Sequence, residues 1–195
     1  MCYNSMHAMH DNMCRGDQKM EFTDLIFERK SIRAYKEEAI DHAALMEILK
    51  QARRAPSWKN LQTSRCYVVE TPDTLEELRT KGLPSFNQKS SANAVLMVTT
   101  FVKDVVGFTQ GKPDNEAGNL WGAYDLGLHD AYLVLAASNA GYDTLIMGIR
   151  DADVIRDMLN IPENEQIMSV IAVGKRASDV MEKPRKELDE VVTFI

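Results

Sequence analysis

Residues Glu28 to Tyr35 read ERKSIRAY, which sets Arg29, Lys30 and Arg33 around the hydroxyl of Ser31. A second cationic island, EKPRKEL at 182–188, contributes Lys183 and Arg185 near the other end of the chain. Arginine offers paired N–H donors to phosphate oxygens, lysine adds a compact charge, and a serine hydroxyl supplies one more donor. Either island alone fits an ordinary solvated charge run. The two together fit a phosphate group approached from both ends of the chain. A third segment, APSWKNLQTSRCYVV at 55–69, is a proline-bounded loop that presents Ser57, Asn60 and Gln62 before entering a strand. Asn and Gln carry both donors and acceptors, which suits a ring with amide-like edges. The same residues also read as turn chemistry with a strand-edge cap.

Other chemistries are excluded by what the sequence lacks. There is no G-x-x-x-x-G-K-[ST] loop, since GFTQGK is too short and lacks the hydroxyl residue after its lysine, and there is no G-x-G-x-x-G dinucleotide fingerprint. H-E-x-x-H and C-x-x-C are absent. His42 and His129 stand isolated, and Asp125 and Asp130 are five residues apart, so they do not share a helix face. Nothing reads as a hydrolase. The cations, the hydroxyl and the amide-bearing loop point to a bound phosphorylated cofactor.

The chain has 195 residues, 45% hydrophobic and 27% charged, with a formal net charge of -6. That length supports one domain with a real core. The acidic balance argues against a general nucleic-acid binder, and no apolar run reaches membrane-spanning length. Cys2, Cys14 and Cys66 form no disulfide framework, which fits a reducing, cytoplasmic setting. Residues 1–20 lack the apolar core of a signal peptide and read as an irregular extension, with Met20 a candidate start. Cys2, His7, His10 and Cys14 match no zinc spacing, so no metal site is expected. Residues 21–195 read as a single domain.

The elements that must position these groups can be placed by pattern. A short helix around Phe22, Leu25 and Ile26, capped near Thr23, precedes an extended SIRAY. Asp41 caps a helix to about Arg54 with Ala44, Leu45, Ile48, Leu49 and Ala52 as its apolar stripe, closed by Pro56. RCYVVE is a strand. Pro72 opens a helix to Gly82. AVLMVTTF at 94–101 is apolar enough to be buried on both faces of a sheet. Residues 102–119 form a glycine-bearing excursion. A long helix, apolar nearly all round, spans Leu120 to about Asn139, with Gly141 as its stop. DTLIMG is a strand or extended turn, Asp151 caps a helix to about Leu159, and QIMSVIAVGK is a third strand. The tail from Glu182 reads as basic, then extended. This order predicts α/β or α+β with a mixed sheet.

ERKSIRAY, APSWKNLQ, AGYDTLIMGIRD, LNIPENEQIMSVIAVGK and KPRKELDEVV, in that order, resemble the nitroreductase family of FMN-dependent NAD(P)H oxidoreductases. The resemblance runs from Glu21 to Ile195. It implies an α+β nitroreductase-like fold, with a central, mostly antiparallel sheet flanked by helices. It further implies a homodimer whose C-terminal strand is exchanged onto the partner subunit, with the helix at 120–139 at the interface and FMN bound there.

The resemblance also implies site residues. Arg29, Lys30, Ser31 and Arg33 match the first flavin motif, whose basic residues meet the phosphate and the pyrimidine side of the ring. Lys183 and Arg185 match the late basic pair that holds the phosphate. Pro56, Ser57, Trp58 and Asn60 match a loop that reaches the flavin from the other subunit. Asn87, in PSFNQK, resembles an asparagine at the ring edge. Ile146, Met147 and Gly148 match the backbone beside the flavin N5. Many members carry Glu at the Met147 position, so Met147 is expected to make the pocket less polar. No catalytic side chain is implied, because the flavin does the chemistry. The implied activity is ping-pong transfer from NADH or NADPH to a nitroaromatic, quinone or similar small-molecule acceptor. A flavin carrier or sensor without turnover, or a dehalogenase or flavin-consuming relative, would use the same phosphate clamp.

Overall fold

The computed structural model of the chain describes residues 20–195. Cys2, His7, His10 and Cys14 lie outside the described residues, as does all but the last residue of the expected extension. The elements in order are α1 (Phe22–Glu28), α2 (His42–Ala52), β1 (Ser64–Val69), α3 (Pro72–Gly82), α4 (Ser85–Ser90), β2 (Val95–Val102), β3 (Phe108–Thr109), β4 (Lys112–Pro113), α5 (Leu120–Asn139), β5 (Asp143–Met147), α6 (Ala152–Leu159), β6 (Glu165–Gly174) and α7 (Leu188–Val191). A 3-10 turn at Trp58–Asn60 precedes β1.

Four strands form one antiparallel sheet in the order β1-β2-β6-β5. Because successive side chains on a strand alternate faces, the two central strands feed two separate cores. Leu96 and Val98 of β2 and Val170 and Ala172 of β6 join Leu78 of α3 and Ile155 of α6. Met97, Ile171 and Val173 point the other way, onto Leu45 and Ile48 of α2 and Leu133 and Ala137 of α5. Helices therefore cover both faces, and the near-continuous apolar run of β2 is explained. The close approach of α5 to β2 depends on Gly122: a Cβ there would lie 2.4 Å from the Phe101 ring. Gly141 follows α5 at φ +79, a left-handed stop that glycine adopts without strain.

The SIRAY segment docks along the outer edge of β5. Ser31 forms a parallel bridge with Thr144, and the Ile32 amide donates to the Thr144 carbonyl at 3.0 Å. Tyr35 bridges Arg176, with its ring against Gly174 and its hydroxyl donating to the Ile32 carbonyl. The sheet is thus antiparallel throughout its strands and mixed only at this bridge.

Several elements differ from the pattern-based expectation. Glu21, not Thr23, sits at the N-cap of α1, and no side chain caps that helix. Helix α2 stops at Ala52, before Pro56 acts. Helix α4 carries only one buried residue, Asn87, so it has no apolar period to read. The 102–119 excursion holds the β3–β4 hairpin. It is closed by a reciprocal clasp, in which the Asp104 amide donates to Asn119 Oδ1 at 2.7 Å and Asn119 Nδ2 donates to Asp104 Oδ1 at 2.8 Å. The tail turns into α7, where Glu187 and Glu190 form a capping box, before Val192–Ile195 runs on exposed. No helix among the described residues is long and apolar enough to cross a membrane.

Candidate functional site

Docking SIRAY on β5 carries Arg29, Lys30, Ser31 and Arg33 to one wall of a cleft of about 180 Å³. Lys183 and Arg185 line the same cleft, beside Val180 and Met181. The two cationic islands of the sequence meet here. Ser31 and Arg33 are exposed, and Arg29 and Lys30 half-buried.

The cleft carries an excess of positive charge. Among the described residues, none of Arg29, Lys30, Arg33, Lys183 and Arg185 is paired with a carboxylate. Arg33 instead donates to the Ser31 carbonyl at 3.2 Å. Neighbouring cations are fully engaged. Arg176 pairs with Asp143 at 2.5 Å, Asp179 at 2.9 Å and Glu28 at 3.2 Å, and Lys175 pairs with Glu38. The bonds to Asp143 hold the Arg176 guanidinium well above its ordinary pKa. Glu28, the one acid of ERKSIRAY, is thus partnered with Arg176. Glu182 also lines the cleft, so five cations face one carboxylate there, an excess of positive charge in an acidic chain.

Ile146–Gly148 ends β5 on the same sheet edge, two residues beyond the Ser31–Thr144 bridge. Ile146 and Gly148 are exposed. Met147 is not: it is 3% exposed and belongs to the core with Leu145. Strand alternation puts residues 145 and 147 on the inner face, so the Met147 side chain does not make the cleft less polar, contrary to expectation. The segment after β5 is held from two sides. Asn87 Nδ2 donates to the Ile149 carbonyl at 2.9 Å, and Arg150 donates to the Gly148 carbonyl at 3.3 Å. Asn87 is buried and supports this backbone from α4.

Pro56 and Ser57 line a different cavity, of about 250 Å³, which shares no residue with the cationic cleft. A single chain therefore does not bring the 56–60 loop to Arg29 and Lys183. The loop is tightly wound: Lys59, Asn60 and Gln62 all have φ between +49 and +56, a region that is strained for such residues. Its fastenings are Ser57 Oγ, which accepts from the Gln62 amide at 3.1 Å, and Asp125, whose carboxylate accepts from the Trp58 amide at 2.9 Å. The Trp58 ring lies 4.9 Å from that of Trp121, centroid to centroid. Trp121 in turn donates through Nε1 to Asn115 of the excursion at 2.9 Å.

Asp125 and His129 are site-lining residues that inspection of the sequence passed over. The readable signal was the i, i+4, i+8 spacing of Trp121, Asp125 and His129 on one face of α5. Asp130 serves another neighbourhood, accepting from Thr99 at 3.0 Å, with Ser169 2.9 Å from the same hydroxyl. Cys66 is half-buried and free, and burial together with Asp130 pushes its thiol up to about 12, so it stays protonated.

Known proteins share this arrangement of elements. A nitroreductase family protein from Streptococcus pneumoniae TIGR4 superposes with a TM-score of 0.77 at 21% identity, covering 90% of this chain and 100% of that one. One from Clostridium novyi NT gives a TM-score of 0.69 at 28% identity, covering 80% and 87%. In sequence, a Thermus thermophilus protein named NADH dehydrogenase is 27% identical over 189 residues, covering 85% of this chain and 92% of its own. The signature of the Nitroreductase family matches residues 26–175, which takes in the first cationic island, the 56–60 loop and the whole sheet: the chain belongs to the nitroreductase family.

Proposed function

We propose that this protein is an FMN-dependent oxidoreductase that draws on NADH or NADPH and works as a homodimer. The observation that carries the reading is the cleft where Arg29, Lys30, Arg33, Lys183 and Arg185 meet without carboxylate partners. A flavin mononucleotide phosphate suits that cleft, because each cation can offer a charge-assisted hydrogen bond to an oxygen and none must first break an ion pair.

Bound there, FMN supplies hydride acceptance from the nicotinamide and delivery to a nitroaromatic, quinone or similar acceptor in a ping-pong cycle. The chain binds and orients. Ser31 adds its hydroxyl beside the cations, and a guanidinium near the pyrimidine edge favours the reduced, anionic ring. The backbone of Ile146–Gly148 faces the reactive side, held in place by Asn87 and Arg150.

Two features support the dimer. The outer edge of β1 carries no strand among the described residues, and the Val192–Ile195 tail is apolar, β-prone and exposed. A tail exchanged onto a partner's β1 satisfies both. Phe22 and Phe27 of α1 and Leu120 and Tyr124 of α5 are exposed on two helices in contact, which gives the second copy an apolar face to cover. In that dimer the Pro56, Ser57, Trp58 and Asn60 loop reaches the partner's flavin, which accounts for its separation from the cleft of its own chain. Among relatives, a Staphylococcus haemolyticus protein named NADPH-dependent oxidoreductase aligns with 85% of this chain at 24% identity.

Anaerobic mixing of the FMN-loaded protein with NADH, and separately with NADPH, tests the activity. Bleaching of the visible flavin band with at least one of them is expected, followed by recovery on adding a quinone. A band that persists with both would establish a carrier or sensor instead.

A further inference from the structure

Asp125 is 4% exposed, and two arginines, Arg53 and Arg65, line the same cavity as its carboxylate, together with His129. Among the described residues neither arginine bonds it. Arg65 donates instead to the Gln62 and Ser64 carbonyls, each at 2.9 Å, and His129 Nδ1 lies 3.2 Å from Asp130. The hydrogen bond Asp125 does make is to the Trp58 amide, 67 positions away in the chain. Burial raises its pKa above the ordinary carboxylate value. An acid kept out of water, beside cations it does not use, and spent on one backbone N–H of a left-handed loop is costly to maintain unless that loop must be held.

We propose that Asp125 is a positioning residue. Its carboxylate anchors the Trp58 amide and so fixes the wound turn from Trp58 to Gln62, setting the surface this loop offers to the flavin of the opposite subunit. The neighbouring contacts on α5 agree. Trp121, one helical turn before Asp125, packs its ring against that of Trp58 at a tilt of 54°, so backbone and side chain of Trp58 are gripped by residues on the same helix face. The left-handed φ values of Lys59 and Gln62 call for such an external grip, since neither residue favours that region by itself, whereas Asn60 between them tolerates it. The flavin part of this assignment rests on the functional reading above; the anchoring part does not.

The test compares the FMN-loaded wild type with Asp125→Ala and Asp125→Asn, reading amide hydrogen exchange at Trp58 and the FMN dissociation constant. In Asp125→Ala, Trp58 exchange should rise by about tenfold or more and FMN affinity fall by about tenfold, the scale of one hydrogen bond to a charged group. Exchange in the core of α5 should be unchanged. Asp125→Asn keeps a carbonyl-type acceptor and should restore both readouts. Unaltered Trp58 exchange in Asp125→Ala, or a loss in Asp125→Asn equal to that in Asp125→Ala, overturns the proposal. If the alanine variant does not fold, an unprotected Trp58 amide in the wild type overturns it and a protected one supports it. If loosened Trp58 exchange leaves FMN affinity and turnover intact, the anchor stands and its link to the flavin falls. A wild type that binds no FMN overturns the functional reading, and with it that link, and Trp58 exchange then decides the anchor by itself.

Discussion

Glu28 and Arg29 are adjacent in the chain but serve different partners: the acid pairs with Arg176 at 3.2 Å, while the base lines the cationic cleft. This division leaves Arg29 without a carboxylate partner among the described residues. Arg29→Ala and Arg185→Ala should each weaken FMN binding roughly tenfold, the low end for a charge-assisted bond because solvent reaches both side chains. The double variant should lose flavin on gel filtration, and added salt should weaken the wild type in the same direction. Flavin retained stoichiometrically in the double variant would refute the clamp. Among single residues, the basic ones were the most legible in the sequence, since unlike charges in an acidic chain stand out without any structure. Met147 was misread because its role depends on strand phase, and one residue of register exchanges the core face for the open one. Asp125 was weighed only against Asp130 and set aside, because its actual partner, the Trp58 amide, is a backbone group that every residue carries.

The longer elements followed from pattern, and the short ones did not. Strand β2, helix α5 and the Asp151-capped α6 match their expected spans closely, and Asp151 indeed accepts from the Val154 amide at 3.1 Å. Helices α4 and α7 have six and four residues, too few to show a period or to be stable apart from their surroundings. The β3–β4 hairpin has two residues per strand, and what closes the excursion is the Asp104–Asn119 clasp across fifteen positions. Side-chain clasps of that kind have no local signature. At this scale Gly122 is the glycine where an added Cβ would come closest to a neighbour, 2.4 Å from the Phe101 ring. Gly122→Ala should push α5 off Phe101 and destabilise the fold by about 1–3 kcal/mol, read as a lower midpoint in chemical denaturation. An unchanged midpoint would mean that the Phe101 ring can move aside.

Among the described residues, the outer edge of β1 carries no strand, the Val192–Ile195 tail is exposed, and both α1 and α5 expose apolar side chains. Removing residues 188–195 should shift the protein toward monomer in sedimentation and lower FMN occupancy, because each flavin would lose the loop supplied by the other subunit. A truncated protein that sediments as a flavin-loaded dimer would rule out an essential role for the tail. The proposed dimer was suggested in the sequence only through family resemblance, since surface patches emerge from tertiary arrangement rather than from any one segment.

The cleft joins Arg29, close to the first described helix, with Arg185, ten residues from the C-terminus. Such an arrangement has a consequence for shortened chains. The last strand ends at Gly174, and neither core includes residue 183 or 185. Without those two residues the cationic cleft has only one wall. A chain ending just before Lys183 should therefore keep both cores yet purify colourless, which separates folding from cofactor capture.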